Sequence, residues 1–124
     1  MPKYPHFRQL DSMDCGATCL KMVARYHGRL YSLEYLRELS HIGKTGVSLA
    51  DISEAAEKIG LHTLAVKLNY QRLLDDVPLP CIAHYDQNHF VVVYKISNSH
   101  VWLGDPSASE IYKTTKLEFL QHWG

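Results

Sequence analysis

The sequence predicts an α+β fold in a single domain, residues 1–124. Apolar residues recur at helical spacing in the first half of the chain, whereas the second half shows alternation and short apolar runs typical of strands. Helices followed by consecutive short strands favour an antiparallel sheet over a βαβ nucleotide-binding fold. A chain of 124 residues can form its own core, and 46% hydrophobic and 21% charged residues are typical of a globular protein.

The first half predicts three helices, each with a recognisable start or end. They are "CGATCLKMVARYHG", capped by Asp14 or Ser12 and ended by Gly28; "YSLEYLRELS", capped by Ser32; and "VSLADISEAAEKIG", with a Ser48–Asp51 capping box and an end at Gly60. Their buried faces are expected to contain Cys19, Met22, Val23 and Tyr26 in the first, Leu33, Leu36 and Leu39 in the second, and Leu49, Ile52, Ala56 and Ile59 in the third.

The second half predicts strands joined by short turns. "LHTLAVKL" alternates at Leu64, Val66 and Leu68, as a half-buried strand does. After the break "VPLP", the segments "CIAHY", "HFVVVYKI", "VWLGD" and "EIYKT" follow, separated in part by the turn residues "DQN" and "SNS". A closing helix, "KLEFLQHW", is expected to begin at a capping box formed by Thr115 and Glu118.

Composition excludes several classes of function. Lys plus Arg and Asp plus Glu both number 13, so the chain lacks the basic surplus of a nucleic-acid-binding protein. The longest apolar run, around "HFVVVY", is far shorter than the roughly 20 residues of a membrane span. No glycine-rich phosphate loop is present, so no ATP site is expected in this chain. Three cysteines, and no export signal in "MPKYPHFRQLDS", favour free thiols in a reducing compartment.

Cys15 lies where the first predicted helix begins, and the residues around it leave two interpretations open. A thiol at a helix N-terminus near a cationic imidazole is readily ionised, and Gly16 beside it allows a substrate backbone to approach the sulfur. Cysteine is also among the most frequently buried residue types, so a core position is about equally consistent with the sequence.

A cysteine nucleophile needs a base and a group that orients the base. Among eight histidines, His89 opens an apolar strand after a turn, and His84 on the preceding strand competes with it. Asp105 ends the strand that follows His89, and antiparallel pairing brings the start of one strand level with the end of the next. A strand-end Asp before Pro is just as often a turn-former, and a single His is more often structural than catalytic.

Two further possibilities concern Gln9 and a metal site. Gln9 precedes Cys15 by six positions, so its amide and the Cys15 backbone N–H can converge on an oxyanion, although an isolated loop Gln is usually a surface residue. A zinc site is disfavoured because Cys15 and Cys19 form no C-x-x-C pair, no H-x-x-x-H spacing occurs, and Cys81 belongs to another strand.

Long stretches of the chain resemble one known family. The stretch "QLDSMDCGATCLKMVARYHG" resembles the opening of the peptidase family C39 domain, which processes bacteriocin precursors at the N-terminus of peptidase-containing ABC transporters. The resemblance continues through "PCIAHYDQNHFVVVYKI" and "WLGDPS", so it spans nearly the whole chain. After Asp105 and Pro106 the family often has a glycine, whereas this chain reads "SASEIYK".

The resemblance implies a papain-like cysteine protease fold, with N-terminal helices packed on a C-terminal antiparallel sheet. It implies Cys15 as nucleophile, His89 as general base and then acid, Asp105 as the group that orients the imidazole, and Gln9 as oxyanion donor. His89 is preferred to His84 by this resemblance alone. The implied reaction is hydrolysis after a double-glycine motif at the end of a leader peptide, without cofactor or metal.

The implied partners are the leader region of a precursor peptide and the transmembrane and ATPase domains of a parent transporter, with no nucleic acid. The implied location is the cytoplasmic face of a bacterial inner membrane. The alternative is a non-catalytic, C39-like leader-binding domain of an ABC exporter. Such domains lack the catalytic cysteine, so the presence of Cys15, His89, Asp105 and Gln9 favours the enzyme.

Overall fold

A computed structural model describes residues 4–9, 14–40, 48–61, 63, 67–86 and 89–123. In chain order, the elements are α1 Cys15–Tyr26, α2 Leu33–Leu39, α3 Leu49–Lys58, α4 Tyr70–Asp76, β1 Cys81–Tyr85, β2 His89–Ile96, β3 His100–Gly104, β4 Tyr112–Thr115 and α5 Lys116–His122. The strands form one antiparallel sheet in the order β1-β2-β3-β4. The predicted α+β class is therefore confirmed. None of the helices in the described ranges is long and apolar enough to cross a membrane.

The sheet is covered on both faces. Phe90, Val92 and Tyr94 of β2 point to one face, where they pack with residues of α1 and α3. Val91 and Val93 point to the other face, where they join side chains of α4 and α5. Strands buried on both faces appear in sequence as continuous apolar runs, which explains "HFVVVY".

Local signals set most helix ends as predicted. Ser32 caps α2 through Tyr35 N, and Ser48 and Asp51 form a reciprocal capping box on α3. Gly28 and Gly60 follow α1 and α3 with φ of 84° and 88°, the left-handed conformation that glycine adopts without strain. Thr115 caps α5 by accepting a hydrogen bond from Glu118 N.

The buried faces of the helices differ from the prediction at four positions, since Leu33 and Leu39 of α2 are only partly buried and two further residues are exposed. Tyr26 is 42% exposed, although its ring lies near those of Tyr4 and Tyr94, and Leu49 is 39% exposed in the first turn of α3. Tyr26 is the last residue of α1 and Leu49 the first of α3, so both exposed positions lie at a helix end. Cys19, Met22 and Val23 are buried as expected.

The strand predicted over residues 61–68 is not confirmed. Leu64 and Val66 lie outside the described residues, and Leu68 lies outside any strand or helix. A helix not predicted from the sequence, α4, follows directly, with Asn69 as its cap. Its position depends on a distant contact, because the Tyr70 hydroxyl donates a hydrogen bond to Ser97 O at 2.7 Å.

Candidate active site

The sheet register brings His89 and Asp105 together. β2 begins at His89, β3 ends at Gly104, and the pairing of Val92 with Gly104 places these two strand ends side by side. His89 Nε2 lies 2.6 Å from Asp105 Oδ1, as the antiparallel order of the strands predicts. His89 is partly buried and Asp105 is buried, so water screens their charges only in part.

The Asp105 carboxylate is held by the turn that follows β3. Ser107 donates to Oδ1 from both its backbone N, at 2.9 Å, and its hydroxyl, at 2.7 Å, and the Tyr112 hydroxyl lies 3.4 Å from Oδ2. Burial alone would raise the pKa of Asp105, but the hydrogen bonds from His89 and Ser107 outweigh it and lower the pKa to about 2. Asp105 is therefore both a partner of the imidazole and a turn-former, and these alternatives are not exclusive.

Sequence reasoning missed Ser107 and Tyr112. A serine two residues after a strand-end aspartate is a local signal for a side-chain-to-backbone turn, so Ser107 was open to prediction. Tyr112 reaches Asp105 through the pairing of β3 with β4, in which Leu103 pairs with Tyr112. That contact has no signal in the local sequence.

The helix α1 places Cys15 against the same imidazole. Cys15 is the first residue of α1 and is only 6% exposed. The hydrogen bond with Asp105 and, after it, a hydrogen bond with the Cys15 side chain together outweigh the effect of burial and raise the pKa of His89 to about 9. One imidazole thus joins the thiol and the carboxylate, and because Nε2 faces Asp105, Nδ1 is the nitrogen left to Cys15.

The competing side chains have other partners. The His84 ring lies 5.2 Å from the Phe90 ring, its cross-strand neighbour on β2. Asp86, the nearest acidic alternative to Asp105, bonds His122 at 2.6 Å on the surface. The geometry therefore brings together His89 and Asp105 rather than His84 or Asp86.

Gln9 lies beside the turn that carries Asp105. Its backbone N donates to Pro106 O at 2.8 Å, and its side-chain Oε1 is buried. His6 Nε2 bonds Ala108 O at 2.8 Å, and the Tyr94 hydroxyl donates to Pro5 O. The segment 4–9 is thereby held against the loop after β3.

The prediction that the Asp14 side chain caps α1 is wrong. Asp14 occupies the N-cap position, but its side chain makes no capping hydrogen bond. Both carboxylate oxygens instead accept hydrogen bonds from Arg37 of α2, at 2.7 and 2.6 Å. The other expected cap, Ser12, lies outside the described residues.

The thiols of Cys19 and Cys81 both have raised pKa values. Burial raises the pKa of Cys19 well above its ordinary value, with smaller contributions from Cys15 and Asp105, and burial raises the pKa of Cys81 to about 12. Within the described part of the chain, no group of three or more His, Cys, Asp or Glu side chains is arranged to hold a metal ion. Cys19 belongs to the core, as expected.

Comparison with known proteins identifies relatives across nearly the whole chain. The model of the peptidase C39 family matches residues 3–124. The lactococcin-G-processing and transport ATP-binding protein of Lactococcus lactis is 36% identical over 120 residues, covering 93% of this chain and 17% of the relative. The colicin V secretion/processing ATP-binding protein of Escherichia coli is 33% identical over 105 residues, covering 85% of this chain and 15% of the relative. The chain thus spans about a sixth of the length of these curated relatives.

Two solved structures align closely with this fold. A double glycine motif protease from an AMS/PCAT transporter, in complex with the leader peptide, has a TM-score of 0.91 at 28% identity, covering 97% of this chain and 85% of that one. The peptidase domain of Streptococcus ComA, a bifunctional ABC transporter of a quorum-sensing pathway, has a TM-score of 0.89 at 36% identity, covering 97% and 92%. These alignments confirm the fold that the family resemblance implies.

Proposed function

Because this chain belongs to the peptidase C39 family, we propose that it is the cysteine endopeptidase that removes double-glycine leaders from precursor peptides. The assignment of roles is Cys15 as nucleophile, His89 as general base and acid, Asp105 as the group that orients His89, and Gln9 as oxyanion donor. The observation that carries this proposal is that one imidazole contacts both partners: His89 Nε2 lies 2.6 Å from Asp105 Oδ1, and the same ring bonds Cys15.

The charge state of this arrangement suits acyl transfer. With its pKa near 9, His89 holds a proton at neutral pH while it lies beside the Cys15 sulfur. A cationic imidazole favours the thiolate, which is the nucleophilic form of cysteine. Asp105, ionised down to about pH 2, accepts the hydrogen bond from Nε2 and fixes the orientation of the ring.

The reaction then proceeds in two steps. Cys15 Sγ attacks the carbonyl carbon of the second glycine, and the oxyanion that forms is stabilised by the Gln9 side-chain amide and the Cys15 backbone N–H. His89 gives its proton to the departing amine, which leaves a thioester between Cys15 and the leader. A water molecule, deprotonated by His89, hydrolyses the thioester and releases the leader as a carboxylic acid.

Two glycines before the scissile bond are consistent with a restricted approach to a buried thiol. Cys15 is only 6% exposed, so the substrate backbone must come close to the surface of α1. A glycine has no Cβ to prevent that approach, and a narrow channel over Cys15 rejects larger residues by steric overlap.

The relatives also suggest where the reaction takes place. The similar proteins named above are processing and transport proteins about six times as long as the matched segment. We therefore propose that the chain acts next to the transmembrane and ATPase domains of an ABC transporter, at the cytoplasmic face of the membrane. Hydrolysis itself is assigned to side chains of this chain, and neither a metal nor an organic cofactor takes part.

A cleavage assay tests the proposal. A synthetic precursor with a double-glycine leader is incubated with the wild-type chain, with Cys15→Ala and with Cys81→Ala, and the products are identified by mass spectrometry. We expect cleavage after the second glycine by the wild type and Cys81→Ala, and no cleavage by Cys15→Ala. A precursor in which both glycines are alanine should remain intact.

Binding without hydrolysis separates the enzyme from the non-catalytic alternative. We expect Cys15→Ala to retain affinity for the leader, measured by fluorescence anisotropy, because the substitution removes only the attacking sulfur. A wild-type chain that binds the leader but never cleaves it would overturn the peptidase assignment in favour of a leader-binding domain. Cleavage by Cys15→Ala would overturn the assignment of the nucleophile.

A further inference from the structure

The residue before Cys15 forms an ion pair that the proposed mechanism does not use. Asp14 is 1% exposed, and both of its carboxylate oxygens are bound by Arg37, through Nε at 2.7 Å and Nη2 at 2.6 Å. Such a two-point contact fixes the direction of a carboxylate, which a lysine cannot do with a single ammonium group. The Asp14 carboxylate is therefore held in one orientation by α2.

That orientation is unusual for a residue at the start of a helix. Aspartate at the N-cap normally accepts a hydrogen bond from the second or third backbone N–H of the helix, here Gly16 or Ala17. The side chains that cap the other four helices in the described chain do so: Ser32, Ser48, Asn69 and Thr115. In α1, by contrast, the side chain at the N-cap position, Asp14, bonds the guanidinium of Arg37.

The consequence for Cys15 is electrostatic. The unbonded N–H groups of the first turn give a helix N-terminus a partial positive charge, which stabilises an anion there. A carboxylate bound to those same N–H groups would cancel part of that charge and repel a thiolate at the first helical position. The bond to Arg37 keeps the carboxylate off the first turn and balances its charge.

We propose that Arg37 is a positioning residue for catalysis, which acts through Asp14 to keep the N-terminus of α1 available to the Cys15 thiolate and to the oxyanion. The proposal rests on the assignment of Cys15 as nucleophile. It differs from a structural role, in which the pair only joins α1 to α2, because it predicts a change in the ionisation of Cys15.

Glu34 and Glu38, which share α2 with Arg37, are exposed, and several other charged or titratable groups on the elements packed against α1 have contacts of their own. His89 of β2 and Cys19 of α1 interact with Cys15 directly, and Asp105 reaches it through His89. The elements α3 and β1 also pack on α1, and their charged or titratable side chains bond elsewhere: Asp51 to Ser48, Lys58 to Glu54, Glu57 to Thr63, and His84 against Phe90. Asp14 is the residue directly before Cys15, and it is 1% exposed, so a rearrangement of the Asp14–Arg37 pair would bring a charge to the first turn.

The pH dependence of Cys15 alkylation tests the proposal without any leader peptide. Iodoacetamide labelling of Cys15 is followed by mass spectrometry, which separates it from Cys19 and Cys81. In Arg37→Met, the Asp14 carboxylate is free to bind the first turn, and we expect the midpoint of the pH–rate profile to rise by about one pH unit or more. Adding Asp14→Asn to this variant should return the midpoint to within a few tenths of a unit of the wild type.

Two controls make the result specific. Arg72→Met removes an exposed ion pair with Asp76 on α4 and should leave the profile unchanged. Asp14→Asn alone keeps the guanidinium but removes the negative charge, so its midpoint should fall below that of the wild type. Circular dichroism establishes that each variant is folded.

The outcomes separate this proposal from the proposed function. If His89→Ala had the same pH–rate profile as the wild type, the activation of Cys15 by His89 would be overturned. If His89→Ala changed the profile but Asp14→Asn, and Arg37→Met where that variant folds, did not, the role of Arg37 would be overturned and the pair would be a purely structural contact.

Discussion

In the proposed mechanism, His89 sets the pH range over which the site can act. Its hydrogen bond with Asp105, and then its contact with Cys15, raise its pKa from 6.5 to about 9. Both interactions favour the imidazolium, so His89 holds its proton at neutral pH and loses it as the pH rises through about 9. In the proposed mechanism this proton goes to the departing amine, so we expect the contact with Asp105 to set the alkaline limit of activity.

Asp105→Asn tests this dependence. An asparagine of similar shape cannot supply the negative charge that stabilises the imidazolium, so the pKa of His89 should fall towards its ordinary value. We expect the alkaline limb of kcat/KM for leader cleavage to move to lower pH, together with a reduced maximum rate. An alkaline limb that stays where it is in the wild type would show that Asp105 does not control the imidazole.

At the residue scale, the sequence predicted which types of side chain form the site better than it predicted which individual residues do so and which way they point. Residue types and strand order placed His89 beside Asp105, but His84 remained a competitor until a family resemblance, and then geometry, distinguished them. The direction of the Asp14 side chain was predicted wrongly, because local preference favours a cap and the bond to Arg37 comes from α2. Contacts between elements decide such orientations, and a local pattern does not contain them.

At the scale of elements, the site depends on how closely α1 packs on the sheet. Gly104 ends β3 directly before Asp105, and a Cβ built on it would lie 2.9 Å from Tyr94 Cε2 and 3.2 Å from Met22 Sδ. Met22 belongs to α1 and Tyr94 to β2, so this position lies where the element carrying Cys15 meets the strand carrying His89. The backbone there has no room for a side chain.

Gly104→Ala should therefore reduce both stability and activity. Overpacking of a filled core costs about 1–3 kcal/mol, and the required shift of α1 or β3 changes the distances among Cys15, His89 and Asp105. We expect a lower free energy of unfolding in urea and a lower kcat for leader cleavage.

Ser48→Ala is the matched control for that substitution. It removes the cap of α3 and should cost about 1 kcal/mol of stability with kcat unchanged, because α3 contributes no residue to the site. If Gly104→Ala lost stability by a similar amount but kept the wild-type kcat, the coupling of packing to the site would be contradicted.

Elements were predictable where their signals are local. The caps at Ser32, Ser48 and Thr115 and the stops at Gly28 and Gly60 placed helix ends within a residue or two. The short helix α4 was missed because its buried residues are only Tyr70 and Leu73, too few to establish a helical period. Its place comes instead from the cluster it shares with β2, β3 and α5.

At the scale of the whole molecule, the candidate active site joins parts of the chain that are distant in sequence. The segment 4–9 is bound to the loop after β3, α1 supplies Cys15, and the paired strand ends supply His89 and Asp105. Both faces of the sheet are covered, so its two central strands are held by packing from each side. The side chains of β2 alternate between these two faces, but the sequence shows only a continuous apolar run there, because a strand buried on both sides lacks polar positions.

In the proposed mechanism, Cys15 attacks the carbonyl of the second glycine of a leader. The most direct measurement uses a leader peptide whose second glycine ends in a chloromethyl ketone, which alkylates a thiol positioned at that carbonyl, with loss of chloride. Tandem mass spectrometry should locate the adduct on Cys15 in the wild type. We expect slower labelling of His89→Ala and no labelling of the wild type by an Ala-Ala analogue. An adduct on Cys19 or Cys81, or equal labelling by the Ala-Ala analogue, would contradict the claim.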